Sequence, residues 1–277
     1  MAKHGIAPRK TAGQNFLHDP NVVRRIVAAA NLAPKDTVLE IGPGLGSLTL
    51  GLAAASRHVV AVEIDQGLVR ALTGDILADI PNVTVVHADA LTCDFGAYGS
   101  DLRMVANLPY NTATPLVFHA LSSPNVRDLF VMVQREVALR WQAAVGDPLY
   151  SAVSAKLALH ANVEIAFAIP RAVFIPVPNV DSVMVTLTRH NTVADPHDVA
   201  SLSTLIDAAF AQRRKTLANT LGRIATRDVL EFAASEAEIA LSSRAEEIDI
   251  DGFRRLYGAL KRAGVVVVPG PRYGSAP

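Results

Sequence analysis

Thr37-Val38-Leu39-Glu40-Ile41-Gly42-Pro43-Gly44-Leu45-Gly46 is the stretch on which the fold turns. An apolar, partly β-branched run enters three glycines, and residues 45–55 then show helical spacing. Glycine lets the chain turn sharply and lets its backbone approach a ligand closely. The N–H groups left free at a helix start favour an electron-rich group. Similar short runs recur downstream at residues 58–64, 83–87, 102–107 and 129–134, with a helical pattern over 66–79. Upstream, Asp19-Pro20 reads as an N-cap and first-turn proline for a helix over 21–30. This alternation predicts βαβ units and a mostly parallel sheet. Such sheets bind ligands at the carboxyl ends of their strands.

Two acidic residues stand where those strands end. Glu63 lies 21 residues after Gly42 and can accept hydrogen bonds from both ribose hydroxyls of a nucleoside. Asp89, in His87-Ala88-Asp89-Ala90, suits an amine donor such as that of adenine. The glycine spacing is G-x-G-x-G after Glu40, not the G-x-G-x-x-G of dinucleotide-binding loops. It resembles the glycine motif of class I S-adenosylmethionine methyltransferases, whose cofactor has no pyrophosphate.

The fourth strand ends in Asn107-Leu108-Pro109-Tyr110. The amine of adenine is a poor nucleophile because its lone pair is delocalised into the ring. The side-chain carbonyl of Asn107 and the main-chain carbonyl of Leu108 can each accept one of its hydrogens. That orients the nitrogen toward a methyl donor for in-line transfer. Pro109 stiffens the turn. Tyr110 offers a face on which an extruded base can stack. Positioning and a polar cage carry such a reaction, with no titrating base and no metal required.

With these motifs the chain resembles the KsgA (RsmA) family of small-subunit ribosomal RNA adenine dimethyltransferases, over about residues 9–262. The likeness extends to Gly13-Gln14-Asn15-Phe16-Leu17 and to Val62-Glu63-Ile64-Asp65. It also takes in Phe174-Ile175-Pro176-Val177-Pro178-Asn179-Val180-Asp181-Ser182 and Gln212-Arg213-Arg214-Lys215-Thr216-Leu217. The resemblance implies an α/β, Rossmann-like class I methyltransferase sheet with a small all-helical C-terminal domain. It implies S-adenosylmethionine held by Asn15, Leu17, Gly42, Glu63, Asp89 and Asn107. It implies catalysis by Asn107, Leu108, Pro109 and Tyr110, with Phe174 holding the target base opposite Tyr110. The implied reaction dimethylates the N6 amines of two adjacent adenosines in a 3′-terminal hairpin loop of 16S ribosomal RNA during small-subunit biogenesis. Asn179 stands where the family commonly has lysine. A large-subunit dimethyltransferase, a non-catalytic ribosome-binding protein and a small-molecule methyltransferase are the alternatives.

Beyond Arg189 the strand signals give way to helical stretches at 198–212, 216–224, 227–235 and 251–262, until a terminal strand-like 265–268. The expected division is a catalytic domain over 1–190, a helical RNA-recognition domain over 191–264 and a loose tail over 265–277. With 26 basic and 26 acidic residues the net charge is zero, so any RNA surface must be a local patch. Arg213, Arg214 and Lys215 are the densest such patch and the expected phosphate contacts. Lys3, Arg9, Lys10, Arg24 and Arg25 form a second basic group. The single cysteine, Cys93, excludes an intrachain disulfide and a cysteine-cluster metal site. The histidines are scattered, and no metal is expected. Without a secretory signal or a long apolar run, the expectation is a monomeric cytoplasmic protein that contacts no membrane.

Overall fold

The computed structural model describes residues 15–190 and 195–270. The central sheet has seven strands: β2 (Thr37–Ile41), β3 (His58–Glu63), β4 (Val83–His87), β5 (Leu102–Asn107), β6 (Val126–Gln134), β7 (Ala161–Ile169) and β9 (Ser182–Arg189). Their order is β4-β3-β2-β5-β6-β9-β7. The pairs β2–β3, β3–β4, β2–β5 and β5–β6 are parallel, and β6–β9 is antiparallel. Every residue of β2 is buried, as a parallel strand covered on both faces requires. The expected runs lie on these strands, with β6 starting at Val126, not Leu129. Strands β7 and β9 extend the sheet beyond the five expected. Strand β1 (Phe16–Leu17) pairs separately with β8 (Phe174–Ile175), antiparallel.

Helix α1 (Pro20–Ala30) starts as expected. The Asp19 carboxylate accepts from Asn21 N–H at 2.8 Å, and Pro20 occupies the first turn. Helix α2 (Ser47–Ala55) begins directly after Gly46. Helix α3 (Gln66–Ala71) is capped by Asp65 and runs not to 79 but into a wider π turn over Leu72–Ile76. The wider turn brings Leu72 and Leu77 to one face, where both are buried. A Cβ on Gly46 would meet those two side chains and Ile76 at 3.2 to 3.6 Å, so the glycine and the turn fit one another. Helix α4 (Ala113–Ser122) ends under Arg189, whose guanidinium donates to the carbonyls of Ala120, Leu121, Ser123 and Val126.

The remaining helices are α5 (Arg135–Gln142), α6 (Ala152–His160), α7 (Pro196–Phe210), α8 (Leu217–Thr220), α9 (Arg227–Glu236) and α10 (Ile250–Arg262). By packing, the described chain forms two compact units. One holds residues 15–138 and 164–189; the other holds 139–163 together with 190 and 195–270. The division expected at residue 190 meets one of three crossings between them. The other two come from the segment carrying the second half of α5 and all of α6, which joins the helical unit. That unit closes on Leu205, Ile206, Leu217, Leu221, Phe253 and Leu256.

Residues 265–268 are not a strand. They alternate like one, with Val266 and Val268 outside and Val267 4% exposed. No described strand lies beside them, so Val267 fills the helical core and Gly270 N–H donates to Thr204 Oγ1 at 2.8 Å. Residues 271–277 of the expected tail lie outside the described residues. Among the described residues no helix is long and apolar enough to cross a membrane.

Candidate active site

The glycine loop leaves the end of β2 with Gly42, Gly44 and Gly46 all left-handed, at φ +67°, +57° and +74°. Side chains other than glycine rarely adopt that conformation. At Gly44 there is also no room. A Cβ would lie 2.8 Å from the Phe16 ring, which covers the loop from β1. At Gly42 a Cβ would touch the ring of Pro109 at 3.7 Å, so the two motifs abut. Together they line one recess of about 770 Å³, its open mouth included, with Asn15, Phe16, Leu17, Glu40, Glu63, Asn107, Leu108 and Tyr110 among its walls.

Two carboxyl groups of this recess are buried. Glu63, 5% exposed, accepts from the Asp65 N–H at 2.9 Å. Burial raises its pKa above the ordinary glutamate value, and the N–H groups of Asp65 and Gly44 oppose that rise. Glu40 is 1% exposed, and burial pushes its carboxyl up to about 8, with Thr49 opposing and Glu63 adding repulsion. Among the described residues Glu40 Oε2 has no hydrogen-bond partner. A buried polar atom left so is costly unless a ligand or water meets it.

The residues expected on the base side divide. The Asn107 side-chain N–H donates to the Asn15 carbonyl at 3.1 Å. A carbonyl can only accept, so this bond fixes the amide orientation and leaves Asn107 Oδ1 as the acceptor. Leu108 N–H is taken by the Met132 carbonyl at 3.1 Å. Tyr110 is half-buried, and its hydroxyl and that of Ser182 are 2.9 Å apart. Burial raises its pKa, and Ser182 opposes. Phe174 is different. It is fully buried with Leu17, Val23 and Ile169, and it does not line the recess. Strand β8 alternates, so with Phe174 paired inward to Leu17 the outward residue is Ile175, 41% exposed. Asp89 is exposed, accepts from Leu91 N–H at 2.9 Å and also lies off the recess walls.

Phe16, Glu40 and Ser182 are site residues that the sequence reading did not assign. Each stood inside a quoted motif. Gly44 in a left-handed turn signalled a close neighbour, and Glu40 is the one charged residue of a buried strand. In the helical unit, Arg213, Arg214 and Lys215 are exposed between α7 and α8. Arg213 donates to Glu246 Oε2 at 3.1 Å and to the Pro148 carbonyl at 2.7 Å. In the second basic group, Arg25 lies 4.0 Å over the Phe167 ring and Arg24 donates to Asn21, while Lys3, Arg9 and Lys10 lie outside the described residues. Among the described residues no cluster of His, Cys, Asp and Glu could hold a metal ion.

The residues fit an S-adenosyl donor. The glycine cradle admits close approach, Glu63 is a buried carboxyl group at a strand end that can accept from hydroxyls, and Glu40 Oε2 is unmatched among the described residues in the same recess. Comparison with known proteins agrees. The family model described as ribosomal RNA adenine dimethylase matches residues 6–261. "Ribosomal RNA small subunit methyltransferase A" of Thermobifida fusca is 47% identical over 261 residues, covering 92% of this chain and 91% of its own. The protein of that name from Cutibacterium acnes is 43% identical over 276 residues, covering 95% of this chain and 92% of its own. A dimethyladenosine transferase from Plasmodium falciparum superposes with TM-score 0.75 at 26% identity, covering 91% of this chain and 99% of its own. The 23S rRNA methyltransferase ErmE superposes with TM-score 0.69 at 27% identity, covering 89% and 100%. With its glycine cradle and Asn107–Tyr110 turn on one recess and a match across nearly its whole length, the chain belongs to the ribosomal RNA adenine dimethylase family.

Proposed function

We propose that this enzyme dimethylates the N6 amines of two adjacent adenosines in the 3′-terminal hairpin loop of 16S ribosomal RNA, in small-subunit biogenesis. S-adenosylmethionine supplies the methyl group as a sulfonium electrophile. Asn15, Leu17, Gly42 and Glu63 hold it in the recess, with Asn107 shared between donor and base. Asp89 reads the donor's adenine from outside the recess walls. Asn107 Oδ1 and the Leu108 carbonyl accept the two hydrogens of the target amine and aim its lone pair. Pro109, against Gly42, keeps that turn rigid, and Tyr110 carries the base on its face. Phe174 acts from within the core, fixing β8 and the loop that follows it. Arg213, Arg214 and Lys215 of the helical RNA-recognition domain contact phosphates.

One observation carries this reading. The Asn107 amide is committed through its N–H to Asn15, so its oxygen is reserved for a donor, and an exocyclic amine is one. The large-subunit alternative has the ErmE superposition in its favour. The 47% identity to a small-subunit methyltransferase against 27% to ErmE favours the small subunit. Mass spectrometry of small-subunit RNA from cells lacking the gene tests it. Dimethyladenosine missing from the 3′ hairpin loop is the expected result; its persistence there refutes the reading.

A further inference from the structure

Asp181 ties two arginines to the base side of the recess. Its carbonyl accepts from the Arg135 N–H at 3.0 Å, and its Oδ1 accepts from the Arg171 N–H at 3.1 Å. The next residue, Ser182, holds the Tyr110 hydroxyl at 2.9 Å. Both arginines are exposed. The Arg171 guanidinium donates to the Asn179 carbonyl at 3.1 Å, and among the described residues neither arginine is ion-paired. The other end of the sheet differs. There Arg103 and Arg127 are neutralised by Asp36, Asp101 and Asp128 at 2.9 to 3.4 Å. Thus Arg103 and Arg127 at one end of the sheet carry carboxylate partners, and Arg135 and Arg171 beside Tyr110 carry none among the described residues.

We infer that Arg171 and Arg135 form a phosphate-binding rim that seats the backbone of the target strand on either side of the extruded adenosine. This rests on the reading that the base enters beside Tyr110. A base taken out of its stack brings the phosphates flanking it to the mouth of the pocket, and those charges need cations there. The hydrogen bond to Asn179 steadies the Arg171 guanidinium and leaves its remaining N–H donors for an anion. Nothing in this assigns either arginine to the chemical step; both position the substrate.

The test is methyl transfer to unmethylated small-subunit particles across a salt series, with S-adenosylmethionine affinity measured separately. Arg171→Ala and Arg135→Ala each raise KM for the particle about fivefold, and the pair about twenty-fivefold, with kcat within about twofold. Each lowers the salt dependence of binding by about 0.7 in log–log slope, the value for one phosphate contact to a single strand. Donor affinity stays unchanged. Lys35→Ala, an exposed cation preceding β2 at the opposite strand ends, leaves KM and slope unchanged. Arg171→Lys keeps most of the affinity. Asn179→Lys restores it in Arg171→Ala, because the Asn179 carbonyl marks where the guanidinium lies. An unchanged slope in both alanine variants, with wild-type transfer intact, overturns this inference alone. A wild-type chain that methylates no particle overturns the functional reading and this inference with it.

Discussion

The strand-end recess and the basic cluster of the helical unit were equally prominent as motifs, and the structure treats them differently. In the recess, groups far apart in the chain hold one another. Asn107 is bonded to Asn15, Tyr110 to Ser182, and Gly44 is roofed by Phe16. In the cluster, Arg213, Arg214 and Lys215 face solvent, and Arg213 shares its charge with Glu246. A motif whose members are bonded to the rest of the fold declares a geometry. A motif exposed to solvent declares only a charge. Substitutions in the recess are therefore expected to have large, specific effects, and substitutions in the cluster small, salt-dependent ones.

The largest expected effect is at Asn107. Asn107→Ala removes the acceptor for the target amine and also the anchor of Asn15. The expected outcome is a fall in kcat of about 10²–10³-fold, the scale of losing one preorganised polar contact to the reacting group. RNA affinity stays within about threefold, because phosphate contacts dominate it. Single-turnover transfer and filter binding measure the two. Transfer at the wild-type rate would show that the recess fixes geometry without using it.

Next is Glu40, whose burial is a cost the recess imposes on the fold. Below about pH 4.5 its carboxyl is protonated whether the chain is folded or not. Between about 4.5 and about 8 the unfolded chain releases the proton while the fold retains it, so the wild type loses stability as pH rises. Above about 8 both states are ionised and the loss levels off. Glu40→Gln keeps the shape and removes the titration. At pH 5 the two proteins should unfold within about 1 kcal/mol of each other, and by pH 8 the variant should lead by on the order of 3 kcal/mol. Thermal melts across that range decide it; a gap independent of pH would mean the carboxyl is ionised in the fold throughout.

Gly44→Ala follows. Its Cβ would enter the Phe16 ring, and its φ of +57° is strained for alanine. A loss of about 1–3 kcal/mol in stability and about tenfold in donor affinity is expected, by melts and calorimetry. Gly74→Ala, where a Cβ meets nothing within 4 Å, is the neutral comparison. Gly44 also shows where legibility stops. The glycine loop, the strand ends and the first helix cap were readable because their signals are local: an apolar run, a turn residue, an Asp before a proline. That Phe16 is what Gly44 makes room for was not readable, because the contact joins segments separated by α1 and β2. Phe174 went the same way. As a motif aromatic it suggested a base platform, but its side is set by pairing with Leu17 across β8, and that pairing turns it inward. The π turn after Ala71 and the extended 265–268 likewise depend on neighbours, Gly46 in one case and, in the other, the helical core that takes Val267.

The smallest expected effect belongs to the cluster and bears directly on what it does. Arg213 is 66% exposed and Glu246 31%, so their ion pair contributes little to stability. Glu246→Gln should therefore change the unfolding free energy by less than about 1 kcal/mol. It removes one negative charge from beside the cluster and frees Arg213 for another anion. If the cluster contacts phosphate, RNA affinity at low salt should rise about twofold to threefold, with a steeper salt dependence, and Arg213→Ala should reverse both. If the cluster is only a solvated helix end, neither variant should move RNA binding at any salt concentration, and the motif would owe its form to Thr216 and Leu217. Thr216 bridges to Arg244 and Leu217 is fully buried, so those two positions have a structural reason to be what they are. Arg214 and Lys215 have none visible in the fold, and the salt series on Glu246→Gln separates a charge kept for a partner from a charge kept for water.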